Sequence, residues 1–249
     1  MRIDILGVGF DNLTMDETVA EAKRILDRGE TCYCVTPNPE IVYEAKRDEG
    51  FRALLNGAAL VLPDGVGVVL GAKLLKTPLK EKVSGVDFAE RLAALLEGEE
   101  RSLYLFGGKP GVAELAADKL RARYPKLDVC GAADGYYQDE AERLDGIRAA
   151  KPAVLFVCLG SPKQERFMRD HLRDLDGCLM VGLGGTLDAF AGTVKRAPVW
   201  MRKLGLEWFY RLIKEPRRFK RQLRLPKFVF AVLGERIRRK KDKSGMEEA

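Results

Sequence analysis

The chain has 249 residues, of which 46% are hydrophobic, so it can bury a sizeable core and is not a disordered polymer. Its formal charge of +6 is unevenly spread: residues 1–194 hold 25 basic and 31 acidic side chains, whereas residues 195–249 hold 18 and 6. We infer an acidic body, residues 1–194, and a basic C-terminal appendage, residues 195–249.

The sequence shows neither a signal-peptide pattern nor an apolar run of the ~18 residues that a membrane span needs. We therefore expect a cytoplasmic protein that touches a membrane only from its inner surface. The five cysteines are odd in number, sit in apolar runs and lack C-x-x-C spacing, which indicates reduced core residues. They are Cys32, Cys34, Cys130, Cys158 and Cys178.

The first helix is predicted after a short opening segment, because Thr14 and Glu17 form a capping box and Gly29 is a helix stop. Strand-like and helical segments then alternate. The apolar, strand-like runs are 31–35, 58–62, 102–106, 127–131, 153–159 and 178–182, and the helical segments lie near 39–48, 67–75, 87–97, 111–123, 139–150 and 163–173. This alternation predicts an α/β fold, a mostly parallel sheet with helices on both faces, in which ligands bind at the carboxyl ends of the strands.

Four strand-to-helix turns are rich in Gly, Pro and polar residues, and each has a capping explanation beside a functional one. They are TPNPE (36–40), PDGVG (63–67), GGKPG (107–111) and SPKQE (161–165). Asn38 before Pro39 fits an N-cap, and Ser161 with Gln164 fits a capping box. Asp64 is harder to explain by capping, because flanking glycines free the backbone there and place a carboxylate at the crevice.

The GGKPG turn is a weak phosphate-binding signal. Gly107, Gly108 and Lys109 follow a strand and open a helix, whose N-terminal N–H groups can hold a phosphate. The turn is neither a Walker loop nor a dinucleotide fingerprint, which disfavours a nucleotide-dependent oxidoreductase.

Histidine- and metal-based chemistries have little support in the sequence. The single histidine, His171, lies in a charged helical segment and is interpreted as a surface residue. The one D-x-D, Asp174 to Asp176, falls before a strand, at the edge of the sheet opposite to the ligand-binding one. We therefore expect a reaction without a metal ion or other cofactor.

The appendage combines basic and apolar residues. Trp200, Leu204, Trp208 and Leu212 recur every four positions, which predicts one amphipathic helix. A basic face follows beyond Pro216, formed by Arg217, Arg221 and Arg224. Such a tail is typical of proteins that bind an anionic membrane surface or nucleic acid, and the alternative is a solvated helical face.

At this point the residues match a known family. The segments TPNPE, PDGVGVV, FGGKPGVAE and GSPKQE, and above all GGTLDAFAGTVKRAPVWMRKLGLEWFYRLIKEPRRFKR, resemble the TagA/WecG/CpsF family of bacterial glycosyltransferases over about residues 3–224. The resemblance implies a Rossmann-like core and a C-terminal appendage that meets the membrane and completes the active site. It also implies transfer of N-acetylmannosamine from its UDP donor to undecaprenyl-diphosphate-linked N-acetylglucosamine, with inversion, as in the synthesis of the wall teichoic acid linkage unit.

The resemblance also implies roles for individual residues. Asp64 corresponds to the general base, with Thr36, Asn38 and Gln164 as polar partners. Lys82 stands where relatives usually have arginine. Lysine keeps the positive charge but cannot form the bidentate hydrogen bonds that arginine makes to phosphate.

The remaining candidates follow from charge and position. Since the reaction lacks a metal, cations or backbone donors must stabilise the departing diphosphate. Lys82, Arg196 and the arginines of the appendage are candidates for this role, and Asp188 is a candidate for binding the uracil or ribose of the donor. The lipid diphosphate and membrane are assigned to the appendage arginines Arg211, Arg217, Arg218, Arg221 and Arg224.

Several alternatives stay open at this level. The donor can be UDP-N-acetylmannosamine, its uronic acid or another UDP-hexose. A second class of function is a non-catalytic module that binds an anionic lipid or RNA, although we expect no nucleic acid partner. The apolar residues of the appendage also suggest self-association away from the membrane.

Overall fold

A computed structural model describes residues 1–214 and 223–247 of the chain. The strands are β1 Arg2–Ile5, β2 Val8–Asp11, β3 Cys32–Val35, β4 Leu60–Val61, β5 Leu103–Gly107, β6 Val129–Ala133, β7 Val154–Cys158 and β8 Leu179–Gly182. The helices of the body are α1 Met15–Arg28, α2 Pro39–Arg47, α3 Glu49–Asn56, α4 Val66–Leu74, α5 Gly85–Gly98, α6 Val112–Arg123, α7 Glu140–Ala150, α8 Lys163–Asp170 and α9 Thr186–Ala191. Those of the appendage are α10 Val199–Lys203, α11 Glu207–Lys214 and α12 Arg224–Glu247.

The main sheet has six parallel strands in the order β4-β3-β8-β7-β5-β6. Its strands carry apolar side chains on both faces, and each face packs against its own layer of helices. One buried cluster contains side chains of α1, α5, α6 and α9, and the other contains side chains of α2, α3, α4, α7, α8 and α12. The α/β fold with helices on both faces is therefore confirmed, and each predicted apolar run overlaps one of the six strands.

A β-hairpin at the start of the chain covers one edge of this sheet. The opening segment folds into β1 and β2, which pair antiparallel. Asp11 Oδ2 accepts the backbone N–H of Val61 at 2.9 Å, and the Arg2 guanidinium donates to the carbonyls of Asn56 and Ala58. The hairpin thus satisfies backbone groups beside the edge strand β4, which would otherwise stay open to another chain.

The first part of the appendage is two short helices, so the prediction of one amphipathic helix from Trp200 to Leu212 is wrong. α10 ends at Lys203, and the chain turns through Gly205, whose φ is +73°. A Cβ at this glycine would lie 2.9 Å from Cβ of Val66, the first residue of α4. Close approach to the body and a left-handed backbone therefore override the helical periodicity.

Helix α12 packs against the body along α2 and α4. Phe228 and Val232, one turn apart, are fully buried, and Phe228 lies against Gly71 of α4. An ion pair at 2.7 Å joins Arg224 Nη1 to Glu44 of α2. The opposite side of α12 stays exposed, with Phe230 72% accessible.

Two further predictions about local structure are wrong. Ser161 and Gln164 do not form a capping box: α8 starts after Pro162 without a side-chain cap, and the Gln164 amide bonds elsewhere. His171 is not a surface residue. Its side chain is only 14% exposed, because it packs on the Phe167 ring and bonds to Asp174 through Nδ1 at 2.7 Å.

Candidate active site

A cavity of about 330 Å³ lies at the carboxyl edge of the sheet, beside β4, β3 and β8. The turns after β3 and β4 form part of its wall, together with the start of α5 and the turn after β8. Helices α11 and α12 of the appendage close another side. The lining includes Asn38, Asp64, Ser84, Gly85, Leu183, Thr186, Trp208 and Phe228.

Asp64 occupies the turn between β4 and α4 and lines this cavity. Its backbone N–H donates to the carbonyl of Pro37 at 3.3 Å, which ties the β4 turn to the β3 turn. Gly65 follows with φ +88°, a conformation that favours glycine and lets the chain reverse into α4. A carboxylate held in this way is suited to accept a proton from a bound hydroxyl group.

Asn38 lines the same cavity and caps α2. Its Oδ1 accepts the backbone N–H groups of Glu40 at 3.0 Å and Ile41 at 3.1 Å, which confirms the predicted N-cap. Its amide nitrogen makes no hydrogen bond within the described residues. Asn38 therefore both stabilises α2 and keeps a donor for a ligand.

Thr36 and Gln164 lie behind the cavity wall. Thr36 Oγ1 donates to the carbonyl of Gly182 at 2.8 Å, and Gln164 Oε1 accepts the N–H of Gly184 at 2.9 Å. Both side chains thereby hold the 182–186 segment, whose residues Leu183, Gly185 and Thr186 line the cavity. Thr36 and Gln164 therefore hold the cavity wall in place and do not line the cavity themselves.

Comparison with known proteins shows what kind of protein carries this cavity. The profile of the Glycosyl transferase WecG/TagA/CpsF family matches residues 3–242. The chain belongs to this family of glycosyltransferases.

Curated relatives are similar over most of their length. A protein of Bacillus subtilis (strain 168) is 37% identical over 218 residues, 88% of this chain and 85% of the relative. A protein of Staphylococcus aureus (strain MW2) is 34% identical over 245 residues, 97% of this chain and 96% of the relative. Both relatives bear the name N-acetylglucosaminyldiphosphoundecaprenol N-acetyl-beta-D-mannosaminyltransferase. This chain is accordingly a hexosyltransferase.

The GGKPG turn of the glycosyltransferase lies far from Asp64. It follows β5, which is four strand positions from β4 in the sheet, and strand spacings of about 4.8 Å put the two turns about 19 Å apart. Gly107, Gly108 and Lys109 do not line the Asp64 cavity. A ligand that touches both turns must therefore lie along the edge of the sheet.

Arg196 and Asp188 also lie outside the Asp64 cavity. Arg196 Nη1 pairs with Asp87 of α5 at 2.7 Å, and its side chain borders a separate groove between α5, α6 and α9. Asp188 lies in the first turn of α9, with Thr193 Oγ1 at 3.3 Å from its carboxylate. Lys82 does not line the cavity either, but its charge acts on Asp87.

The structure describes only part of the predicted lipid-binding set of arginines. Arg217, Arg218 and Arg221 lie outside the described residues, as does the side chain of Arg211. Arg224 pairs with Glu44 at the point where α12 meets α2. None of the helices in residues 1–214 and 223–247 is long and apolar enough to cross a membrane.

Sequence reasoning missed several residues of the cavity. Ser84 and Gly85 begin α5 at its wall, and Trp208 and Phe228 bring the appendage to it. The S-G pair before an apolar helical run is an N-cap signal that was available in the sequence. The approach of Trp208 and Phe228 to Asp64 depends on tertiary packing, and no local pattern encodes it.

Proposed function

We propose that the protein transfers N-acetylmannosamine from UDP-N-acetylmannosamine to the 4-hydroxyl of N-acetylglucosamine linked to undecaprenyl diphosphate, with inversion. The observation that carries the proposal is the shared cavity of Asp64, Asn38 and the appendage. The names of the relatives from B. subtilis and S. aureus supply the acceptor and the transferred sugar.

Asp64 serves as the general base in this proposal. A sugar hydroxyl is a weak nucleophile near neutral pH, and a carboxylate that takes its proton as the new bond forms contributes about 10²–10⁴ in rate. The proton passes to Asp64 Oδ, the acceptor oxygen bonds to the anomeric carbon, and UDP leaves from the opposite face. Asn38 lies beside the base and donates to a sugar oxygen.

The reaction proceeds without a metal ion or another cofactor in this scheme. The D-x-D segment supports this, because Asp174 is engaged by His171 and the carbonyl of Leu175 accepts from Thr31, just before β3 begins. It therefore lies at the amino edge of the sheet, away from the cavity. The charge on the leaving diphosphate is stabilised by protein donors and cations instead.

The acceptor lipid reaches the cavity from the appendage side. Leu70, Trp208 and Val229 border the cavity and are exposed. Trp200 and Phe230 of the appendage are exposed as well. Exposed apolar side chains together with a basic appendage fit an anionic membrane surface, and we place the protein on the inner face of the cytoplasmic membrane.

The deciding experiment uses purified protein, UDP-N-acetylmannosamine and a short-chain lipid-diphosphate N-acetylglucosamine. Release of UDP together with a disaccharide lipid is the expected result. UDP-N-acetylmannosaminuronic acid and UDP-N-acetylglucosamine, offered in parallel, test the choice of donor. Absence of a disaccharide product with every donor refutes the proposal and favours a lipid-binding module without catalysis.

A further inference from the structure

The start of helix α5 presents a hydroxyl group that makes no hydrogen bond within the described residues. Ser84 is the N-cap residue of α5, is only 6% exposed and lines the cavity of Asp64. Its side chain does not cap the helix, and it makes no other hydrogen bond within residues 1–214 and 223–247. Because Ser84 lines the cavity and its hydroxyl group is not engaged, that group is available to a ligand there.

The first backbone N–H groups of α5 are available as well. The helix is 14 residues long, and its first helical bond runs from the N–H of Phe88 to the carbonyl of Ser84. The N–H groups of Gly85 and Val86 precede that bond and have no acceptor in the described chain, and both residues line the cavity. At the start of α2, in contrast, Asn38 already occupies the corresponding donors.

Charged side chains of both signs surround this helix start. Asp87 lies in the first turn of α5, where Arg196 Nη1 at 2.7 Å and Arg202 Nη1 at 3.7 Å compensate its charge. Burial by itself raises the pKa of Asp87, but the hydrogen bond and charge of Arg196, with the charges of Arg202 and Lys82, outweigh it and lower the pKa. Asp87 thus stays ionised and paired.

The carboxylates that line the cavity itself are Glu40, Asp64 and Glu207. Glu207 Oε1 lies 3.9 Å from Arg196 Nε, so this arginine faces two carboxylates. Three cations, Lys82, Arg196 and Arg202, therefore surround the first turn of α5. These cations already face carboxylates, so the donors that a phosphate meets in the cavity are the N–H groups of the helix start and the Ser84 hydroxyl.

We propose that the Ser84 hydroxyl and the first turn of α5 bind the diphosphate group of a substrate in this cavity. The inference rests on the proposed function, and it names the part of the cavity that holds the diphosphate. The group belongs either to the nucleotide of the donor or to the lipid of the acceptor, which offer the same chemistry. The donors are fixed before the reaction, so they stabilise charge without a proton transfer.

The test compares Ser84→Ala with the wild-type protein by calorimetric titration of inorganic pyrophosphate, UDP and uridine. Loss of one hydrogen bond to a charged group predicts a Kd about ten- to a hundredfold higher for pyrophosphate, and for UDP as well if the site holds the donor. The Kd of uridine should not change. Ser84→Thr keeps the hydroxyl group and should restore binding, which separates the lost donor from a loss of folding.

A matched control is Thr77→Val, because the Thr77 hydroxyl makes no hydrogen bond within the described residues either but lies outside the cavity. This variant should bind all three probes like the wild type. The KM of Ser84→Ala for a short-chain lipid-diphosphate acceptor identifies the source of the diphosphate. A higher acceptor KM with unchanged UDP affinity assigns the site to the lipid, and weaker UDP binding assigns it to the donor.

The inference is overturned if Ser84→Ala changes neither pyrophosphate and UDP binding nor the acceptor KM, or if the wild type binds none of these ligands. Pyrophosphate binding needs no turnover, so the two proposals fail separately. A wild type that binds pyrophosphate through Ser84 but makes no disaccharide refutes the transferase alone. An active enzyme indifferent to Ser84→Ala refutes this site alone.

Discussion

At the scale of single residues, Asp64 and Glu165 are two carboxylates with opposite environments. Asp64 lines the cavity in a turn between strand and helix. Glu165 is 1% exposed, and its Oε2 has no hydrogen-bond partner in the described residues. Replacing Asp64 is therefore expected to change the turnover rate, and replacing Glu165 is expected to change the stability of the fold.

Replacing Asp64 by Asn should lower kcat at least a hundredfold, because the amide cannot take the proton of the acceptor hydroxyl. The side chain keeps its size, so the melting temperature should change little. The measurement is steady-state turnover with the short-chain acceptor, together with a thermal melt. Glu40→Gln is the matched control, since Glu40 lines the same cavity. Equal losses in both variants would remove the base assignment from Asp64.

Replacing Glu165 by Gln should stabilise the protein at neutral pH. Burial raises the pKa of Glu165, and the negative charge of Glu44 adds to this, while hydrogen bonds from its own backbone N–H and from Gln164 oppose it. An unfolded glutamate titrates near about pH 4.3. Between that value and the higher pKa of the folded protein, the folded state holds more protons, so stability falls as the pH rises.

The glutamine does not titrate, and its carbonyl oxygen can still accept from the Gln164 amide. Denaturant unfolding from pH 4 to pH 8 should therefore show a stability gap in favour of Glu165→Gln above this window. The gap should close as the pH approaches about 4.3. A gap that does not vary with pH would mean that Glu165 does not titrate in this range.

At the scale of elements, the docking of α12 should depend on one side chain. Phe228 is 2% exposed and packs on Gly71, whereas Phe230, two residues along the same helix, is 72% exposed. Truncation of a buried Phe to Ala costs about 3–5 kcal/mol, which exceeds the ~0–1 kcal/mol typical of an exposed ion pair such as Arg224–Glu44. We therefore expect Phe228→Ala to release α12 from the body.

The measurement is hydrogen exchange of α12 in Phe228→Ala and in its matched control, Phe230→Ala. The first variant should exchange faster along α12 and lose turnover of a soluble acceptor, because α12 forms part of the cavity wall. The second should keep both properties and bind anionic vesicles more weakly. If α12 of Phe228→Ala stays as protected as in the wild type, the docking rests on other contacts.

The elements also show which features the sequence can predict. Each central strand is apolar throughout, since both faces of the sheet are covered, and such runs are visible without a structure. The capping box of Thr14 and Glu17 is present as predicted, because a cap is a local interaction. The break at Gly205 was missed, because contact with Val66 decides it.

The candidate site was predictable in its parts but not in its arrangement. Strand-end turns identify Asp64, Asn38, Gln164 and Lys109 as candidates, because each follows a parallel strand, but they do not show which of these turns share one cavity. Only the strand order brings the β4, β3, β8 and β7 turns together and leaves the β5 turn outside this group. That order depends on contacts between distant segments, which a single sequence does not display.

At the scale of the whole molecule, the appendage is part of the cavity as well as its route to the membrane. A chain that ends at Lys195 lacks Trp208, Phe228 and Val229 from the cavity wall. We expect it to lose turnover of a soluble acceptor, although that acceptor needs no membrane. Circular dichroism should show that the body stays folded. Full soluble activity of this shorter chain would reduce the appendage to an anchor.

Vesicle binding of the full chain should weaken as salt is added. The 18 basic and 6 acidic residues beyond residue 194 supply the attraction, and exposed charges are screened over about 8 Å at physiological ionic strength. Vesicles with increasing anionic lipid, tested by sedimentation at several salt concentrations, measure this dependence. If vesicle binding changes with neither the salt concentration nor the lipid charge, the exposed apolar side chains and not the basic residues cause the binding.

The hairpin of β1 and β2 has a consequence for solubility. Val61 and its neighbours form a short parallel edge, and Asp11 and Arg2 occupy the backbone groups there. Without residues 1–11 those groups are available to a strand of a second molecule, and open edges of this kind nucleate aggregation. A shortened protein should therefore precipitate with concentration while its remaining secondary structure persists. The resistance of this protein to aggregation then depends on its N-terminal hairpin, which is far in sequence from the basic appendage.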